Sequence, residues 1–332
     1  MTTDTQTRQL TDAITGAWRT RLIYESIRAG LIDALGPDPR GAAEIAAGSG
    51  LHAETTERFL RALAALGLCR QVSATTFAST ETGERLKAGA SASLRGMAML
   101  WGDRIWGSLE TIGYTLRTGE PGRGNGDFSG MHADPEASDI FNRAMAEQSG
   151  PIARAAAAAL DLSAHGFVTD VGGGYGALLI EVLRANPALK GMVYDLEAIA
   201  PGGRRYLAEA GLGDRAGFTG GSFFESVPRG ADCLLIKYIL HDWNDADCLT
   251  ILRNCRAALE PGAAAIVIER VVPEIVTVAD DAVVRADLVM MPISGKERTL
   301  GDYHALLREA GFAPGETRPL VDGCSAIESR AV

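Results

Sequence analysis

The sequence predicts an α/β protein, in which a parallel sheet with helices on both faces follows a mainly helical region. Five apolar strand candidates recur after residue 161, and most of them are separated by helical patterns; they are residues 167–171, 191–195, 216–220, 231–236 and 263–268. The first strand runs directly into a glycine-rich turn, DVGGGYG. Before residue 161 the apolar residues recur with helical spacing over most of the chain.

Composition bounds the class of protein. The 332 residues suffice for two domains, and 46% hydrophobic and 22% charged residues are ordinary for a globular protein. No apolar run approaches the ~20 residues of a membrane span. The start, MTTDTQTRQL, lacks the layout of a signal peptide, so we expect a cytoplasmic protein. Five scattered cysteines without a CxxC pair indicate reduced thiols, and the net charge of −10 argues against nucleic acid as the main partner.

The N-terminal half contains one recognisable supersecondary pattern. Residues 10–35 have the apolar spacing of a helix, which GPDPRG ends. A short helix, a glycine turn, a longer amphipathic helix and two strand-like pieces then follow up to about residue 86, which is the outline of a winged helix. Residues 93–160 are helical again, with a long loop at TGEPGRGNGDFSG. The chain closes with a helix at 301–311 and strand candidates at 315–320 and 324–330.

The glycine-rich turn indicates a nucleotide-like ligand, because ligands of open α/β sheets bind at the carboxyl ends of the strands. Gly172, Gly174 and Ala177 satisfy the GxGxxA form of the dinucleotide fingerprint, and Asp195 ends the next strand, where a ribose diol would bind. A nicotinamide enzyme therefore fits this turn alone. The extra glycine at 176 and the long helical region before the strand favour a different nucleotide-like ligand. A tight turn without any ligand is disfavoured, since glycines are costly in conformational entropy.

A second cluster follows the fourth and fifth strands. His241, Asp242 and Trp243 come directly after a strand in LLIKYILHDWND, before a helix that Asn244 or Asp245 would cap. Glu269 ends the next strand, and Glu297 stands in SGKERT. We expect these side chains to converge on the rim of the sheet that carries the glycine turn. A structural loop histidine is the alternative for His241, and ordinary packing is the alternative for Trp243.

With these motifs in order, the chain resembles the S-adenosylmethionine-dependent O-methyltransferases of the plant caffeic-acid and the bacterial polyketide or phenazine type. The motifs that carry the resemblance are DVGGGYG, YDLE, GGSFFESVP, LLIKYILHDWND, VIERVVPE and GKERT. The resemblance covers nearly the whole chain. It implies a winged-helix dimerisation domain at 1–92, a helical linker at 93–160 that contributes to the substrate pocket, and a Rossmann-like class I methyltransferase domain at 161–332. It also implies a homodimer.

The resemblance assigns roles by position. It implies His241 as the general base, held by Glu269 and Glu297. The residues implied to bind S-adenosylmethionine are Ser149, Asp170, Gly172, Gly174, Asp195, Leu196, Ser222, Phe223 and Lys237. The residues implied to bind the substrate are Phe141, Met145, Gln148, Asp242, Trp243, Met290 and Met291. The chain departs from the family at Ser222, where an aspartate is usual, and at Gln148, where the plant enzymes have a second histidine.

These residue types suit methyl transfer to a phenol. A phenol with a pKa near 10 is neutral at pH 7, so a nearby imidazole that takes its proton assists the attack of the oxygen. A carboxylate on the other ring nitrogen would fix the tautomer. We expect an aromatic O-methyltransferase that needs no metal, because His241 is followed by Trp243 and no carboxylate–amide set suggests a magnesium site.

Four alternatives stay open at this point. Within the fold they are an N-methyltransferase acting on a heteroaromatic, a non-methylating hydroxylase or decarboxylase that uses the same cofactor, and a nicotinamide dehydrogenase. The fourth is a winged-helix transcription regulator. Its recognition helix would carry Arg58 and Arg61 against Glu54 and Glu57, which gives no net positive stripe and favours a dimerisation module.

Overall fold

The computed structural model describes residues 3–90, 93–123 and 135–332. It divides into two compact units, Met1–Gly107 and Ser108–Val332. The domain boundaries at residues 92 and 160 rest on sequence pattern and resemblance and stay predictions. The predicted loop at 118–130 lies partly outside the described residues.

The first unit is mainly helical. Its elements are α1 (Thr3–Thr15), α2 (Ala17–Arg28), α3 (Leu31–Ala34), β1 (Arg40–Gly41), α4 (Ala42–Gly48), α5 (Ala53–Ala65), β2 (Cys69–Gln71), β3 (Thr76–Ser79), α6 (Glu81–Glu84), α7 (Arg95–Leu100), a π-helical turn (Trp101–Ile105) and α8 (Trp106–Leu109), which crosses into the second unit. The single helix predicted over residues 10–35 is divided into three helices. Gly30, with a φ of 70°, adopts the left-handed conformation that separates α2 from α3.

The winged-helix outline predicted for this unit is present. Helices α4 and α5 precede a small antiparallel sheet in the order β1-β3-β2. The apolar face of α5 packs inward, because Leu60 and Leu63 are fully buried together with Ile45 of α4 and Phe77 of β3. The arrangement is therefore held by its own core.

The second unit contains the large sheet. Its elements are α9 (Ile112–Thr118), α10 (Pro135–Ala159), β4 (Phe167–Val171), α11 (Ala177–Ala185), β5 (Lys190–Asp195), α12 (Ala200–Glu209), β6 (Ala216–Gly220), β7 (Cys233–Lys237), α13 (Asp245–Ala258), β8 (Ala264–Arg270), α14 (Asp281–Met290), α15 (Leu300–Glu309), β9 (Phe312–Pro319) and β10 (Cys324–Ala331). The strand order is β6-β5-β4-β7-β8-β10-β9. The first five strands of this order are parallel, as predicted, and β10 is antiparallel to both of its neighbours.

Both faces of the sheet are covered, which explains the nearly continuous apolar runs of its central strands. In β7, Leu235 belongs to the core cluster on one face, whereas Leu234 and Ile236 belong to the cluster on the other. Because β4, β5, β7 and β8 are parallel, their carboxyl ends share one edge. The predicted site residues Asp195, Lys237 and Glu269 lie at that edge.

Across the described residues, no helix combines the length and apolarity that crossing a bilayer requires. All five cysteines are buried and unbridged.

Candidate active site

The glycine-rich turn forms an open cradle between β4 and α11. Gly172, Gly174 and Gly176 have positive φ values of 67°, 59° and 87°, a conformation that favours glycine. A Cβ at Gly172 would overlap the Ile239 side chain, so packing requires that glycine. A Cβ at Gly174 would meet only Asn142 Oδ1, at 3.9 Å. The space over Gly174 is therefore open to a ligand.

Asp170 is a buried acid directly beneath this turn. Its carboxylate lies so close to Gly173 that a Cβ there would be 2.6 Å from Oδ2. Neither carboxylate oxygen has a hydrogen-bond partner among the described residues. Burial raises the pKa of Asp170 to about 7, although the charge on Lys237 opposes this. A buried carboxylate without a hydrogen-bond donor is suited to a ligand that supplies hydrogen-bond donors or a positive charge.

Asp195 connects the end of β5 to the glycine turn. Its Oδ2 accepts a hydrogen bond from Gly174 N at 2.7 Å, and its Oδ1 accepts one from Leu196 N at 2.7 Å. Ser149 of α10 and Lys237 of β7 also meet, because Lys237 Nζ donates to Ser149 Oγ at 3.1 Å. The structure thus brings residues from distant parts of the chain to the edge at which the glycine turn lies.

The loop after β6 carries the two remaining residues predicted to bind the cofactor. Ser222 Oγ accepts a hydrogen bond from Phe224 N at 3.3 Å, so the hydroxyl stabilises its own turn. The ring of Phe223 lies near Gly172. Glu197 lies beside this loop, and its carboxylate occupies the position that a Cβ on Gly220 would need. It is the acid two residues after Asp195 in YDLE.

His241 lies at the same edge, in a 3₁₀ turn (Leu240–Asp242) after β7. Its Nδ1 is 3.1 Å from Glu297 Oε1 and 3.9 Å from Glu269 Oε2, while its Nε2 is 3.6 Å from Asp242 Oδ1. His241 and both glutamates are buried. Burial opposes a charge on the imidazole, but the negative charges of Asp242, Glu269 and Glu297 outweigh burial and raise the pKa of His241.

Glu269 fixes the backbone of this turn. Its Oε1 accepts hydrogen bonds from Ile239 N and Leu240 N, both at 2.8 Å. Burial raises the pKa of the Glu269 carboxyl, while the charge on His241 and these donors oppose the rise. Glu297 is therefore the carboxylate within hydrogen-bond distance of the imidazole, and Glu269 holds the turn that carries it.

Arg298 supports the turn from the other side and was not foreseen. This fully buried guanidinium donates to Leu240 O at 2.6 Å and to Trp243 O at 2.7 Å. It also forms an ion pair with Asp245 at 2.7 Å. Of the two caps considered for the following helix, Asn244 is the one formed, since its side chain accepts from Asp247 N.

The residues predicted to bind the substrate differ in solvent exposure. Phe141 and Met145 of α10 and Met290 of α14 are half-buried, whereas Gln148 and Met291 are exposed. Trp243 packs edge-on against Phe224, with ring centroids 4.7 Å apart, and against Phe223 at 6.2 Å. Its indole is therefore partly engaged in packing, which was the alternative considered for it.

The comparisons with known proteins decide the family. The sequence profile of the O-methyltransferase domain matches residues 115–313, more than half of the chain. The chain belongs to the O-methyltransferase family. It is an S-adenosylmethionine-dependent methyltransferase.

Relatives and solved structures match the methyltransferase over almost its whole length. The phenazine O-methyltransferase PhzM of Lysobacter antibioticus is 32% identical over 330 residues, which is 97% of this chain and 96% of the relative. The crystal structure of LaPhzM has a TM-score of 0.93 at 31% identity, covering 98% of this chain and 99% of that one. NcsB1 from neocarzinostatin biosynthesis, solved with S-adenosylhomocysteine and 1,4-dihydroxy-2-naphthoic acid, has a TM-score of 0.81 at 32% identity, with 95% and 96% covered.

The residues at the edge of the sheet fit S-adenosylmethionine. The ligand is a nucleoside with a charged amino-acid end; at the glycine turn Asp195 accepts a hydrogen bond from Gly174 N, and the carboxylate of Asp170 lies against Gly173. Asp195 and Asp170 both offer carboxylate oxygens at this edge, and those of Asp170 have no hydrogen-bond partner among the described residues.

Proposed function

We propose that the methyltransferase methylates a hydroxyl of an aromatic small molecule of secondary metabolism, such as a polyketide, a phenazine or another phenol. The observation that carries the proposal is the buried contact of His241 with Glu297, supported by Glu269, at the edge that holds the glycine turn. PhzM and NcsB1 support the substrate class, since the first is named for a phenazine and the second was solved with a dihydroxynaphthoic acid.

His241 acts as the general base in this proposal. S-adenosylmethionine supplies an electrophilic methyl group when bound. Glu297, 3.1 Å from Nδ1, orients the ring and accepts the Nδ1–H, which leaves Nε2 to take the proton of the acceptor hydroxyl. Asp242, at 3.6 Å, lies beyond hydrogen-bond distance of Nε2 and leaves that nitrogen available.

Residues on two elements would hold the acceptor. Phe141 and Met145 of α10 are four residues apart and lie on one face of the helix, and both are half-buried. Met290 ends α14, and Met291 follows it. Flexible methionine side chains pack well against flat aromatic rings. We assign Gln148, Asp242 and Trp243 to the rim of the same acceptor site.

The proposal includes no metal ion. The ligating atoms of His241, Glu269 and Glu297 lie within 4.8 Å of one another, so a cation site deserves testing. Two contacts argue against it. Arg270 Nη1 lies 3.5 Å from Glu297 Oε1, where its charge would repel a cation, and two backbone N–H groups already occupy Glu269 Oε1.

The remaining proposals concern the setting of the enzyme. Exposed Leu10, Ile14 and Trp18 in the first unit support a homodimer formed through the N-terminal helices. Arg61 forms an ion pair with Glu57 on α5, which supports the absence of a nucleic-acid surface there. Free buried cysteines support a reducing, cytoplasmic location.

The test is incubation with methyl-labelled S-adenosylmethionine and a panel of phenols, hydroxyphenazines and hydroxyquinones, followed by mass analysis. We expect a mass gain of one methyl group on oxygen, with the same yield in the presence of EDTA. Label on nitrogen, a hydroxylated or decarboxylated product, or loss of turnover with EDTA would each contradict the proposal. An amine-bearing heteroaromatic in the panel provides the comparison for N-methylation.

A further inference from the structure

The imidazole of His241 has an excess of negative charge around it. Three carboxylates, those of Asp242, Glu269 and Glu297, lie within 3.9 Å of its ring nitrogens. Opposite charges at this distance favour the protonated ring. A protonated imidazole has no lone pair with which to accept a proton from the substrate. A base in this position therefore needs a cation that counteracts the carboxylates.

Arg270, the last residue of β8, is placed to do so. Its Nη1 lies 3.5 Å from Glu297 Oε1, the same oxygen that lies 3.1 Å from His241 Nδ1. The guanidinium is charged at any working pH, and its side chain is only 18% exposed. Its Nε is buried and has no hydrogen-bond partner among the described residues. The positive charge of Arg270 therefore partly offsets the negative charge of Glu297 at the imidazole.

Tyr238 connects the arginine to the base. Its ring stacks on the His241 ring, with centroids 5.2 Å apart and planes at 12°. The Arg270 guanidinium lies 4.7 Å from the Tyr238 ring centroid, within cation–π range. Tyr238 is one of the few non-glycine residues with a positive φ, 55°. Such backbone strain persists where surrounding contacts hold it, and here Tyr238 OH lies 2.9 Å from Cys324 Sγ.

The other charged or titratable groups around the base come from several elements. Besides Asp242, Glu269, Glu297, Arg270 and Tyr238, they are Lys237 at the end of β7, Asp287 of α14, Tyr303 of α15 and Cys324 of β10. Two further cations belong to this group: Lys237 Nζ lies 4.8 Å from the Tyr238 ring centroid, and Arg298 donates to Leu240 O and Trp243 O on either side of His241. Lys237 already donates to Ser149 on the cofactor side. Arg270 is the cation that contacts a carboxylate of the base.

We propose that Arg270 is a positioning residue that lowers the proton affinity of His241 against the effect of the three surrounding carboxylates, by sharing Glu297 Oε1 with the imidazole and by holding the Tyr238 ring against it. The inference rests on the proposed role of His241 as the base. It predicts that loss of the arginine charge raises the proton affinity of His241, whereas loss of the Glu297 charge lowers it.

The experiment measures the His241 titration by NMR on the full-length protein with labelled histidine, in parallel with the pH dependence of kcat/KM. The His241 resonance is identified by its loss in His241→Asn. In Arg270→Gln we expect the midpoint of the His241 titration and the acid limb of kcat/KM to rise by about one to two pH units. Arg270→Lys, which keeps the charge, should shift both by less than half as much.

Two controls separate this effect from a general one. Arg253→Gln changes the net charge by the same amount as Arg270→Gln, but Arg253 pairs with Glu309 on the exposed surface. The His241 titration in this variant should therefore match that of the wild type. The double variant Arg270→Gln/Glu297→Gln should return the midpoint toward the wild-type value, since the two charges have opposite effects. Should Arg270→Gln fail to fold, Arg270→Met, which keeps the aliphatic stem of the side chain, is measured in its place.

A His241 midpoint in Arg270→Gln within about 0.3 pH units of the wild type would overturn the proposal. A shift of the His241 midpoint in Arg270→Lys or in Arg253→Gln as large as the shift in Arg270→Gln would also overturn the proposal. The NMR titration does not depend on methyl transfer. Failure of the proposed base is therefore seen separately, as unchanged turnover in His241→Ala.

Discussion

At the scale of single residues, Asp170, which we propose to be part of the cofactor site, is a buried acid that lowers the stability of the fold. The buried carboxylate has no hydrogen-bond partner among the described residues, and burial raises its pKa to about 7. In the unfolded chain an aspartate titrates near 3.9. Between about pH 4 and pH 7 the folded state binds more protons, so stability falls as the pH rises through this window and the full cost is present above it.

Replacement of Asp170 by Asn should therefore stabilise the ligand-free protein at pH 8, by about 1 to 4 kcal/mol, and change little at pH 4. The same variant should bind S-adenosylhomocysteine more weakly, because asparagine offers the donors of the ligand one uncharged oxygen in place of two carboxylate oxygens. Chemical unfolding at both pH values and calorimetric titration measure the two effects. A variant that is destabilised at pH 8 would contradict this account of the buried acid.

Single residues also mark the limit of sequence reasoning. His241, Glu269 and Glu297 were predicted together because each follows or neighbours a strand end in a recognisable motif. The structure places a carboxylate oxygen of each glutamate within 3.9 Å of His241 Nδ1. Arg270 and Tyr238 were not foreseen. Their contacts depend on a backbone conformation at Tyr238, with φ of 55°, that no residue pattern predicts.

At the scale of elements, the glycine turn distinguishes packing from binding. Gly174 and Gly211 both have positive φ, 59° and 74°, and a Cβ on either meets little or nothing. Alanine at each should cost about 1 kcal/mol of stability from the left-handed backbone. Only Gly174→Ala should also weaken S-adenosylhomocysteine binding, by about tenfold or more, because its Cβ enters the cradle. Equal affinities of the two variants would place the ligand elsewhere.

The strands of the large sheet were predicted closely, whereas helix continuity was not. Strands β4 and β6 begin and end at the predicted residues, because buried parallel strands are short apolar runs bounded by turns. The helix predicted over 10–35 is divided between Thr15 and Ala17 and again after Arg28, where Gly30 takes a left-handed conformation that the apolar spacing does not reveal. The antiparallel pairing of β10 follows from chain topology and not from local pattern.

At the scale of the whole molecule, the exposed apolar residues of the first unit predict self-association. Leu10 and Ile14 on α1 are 62% and 72% exposed, and Trp18 on α2 is 42% exposed. We expect the wild type to sediment with twice the 35.0 kDa chain mass and the double variant Leu10→Glu/Ile14→Glu to sediment as a monomer. Leu116→Glu, at a residue 81% exposed on α9, is the matched control and should stay dimeric. A monomeric wild type would contradict the proposed dimer.

The central claim is that His241 takes the proton of the acceptor hydroxyl, and the most direct measurement is turnover and S-adenosylhomocysteine affinity in His241→Ala. We predict that kcat falls by about 10²- to 10⁴-fold while the dissociation constant stays within about twofold. His52→Ala, which removes an exposed histidine at the start of α5, should keep wild-type turnover. Unchanged kcat in His241→Ala would contradict the account.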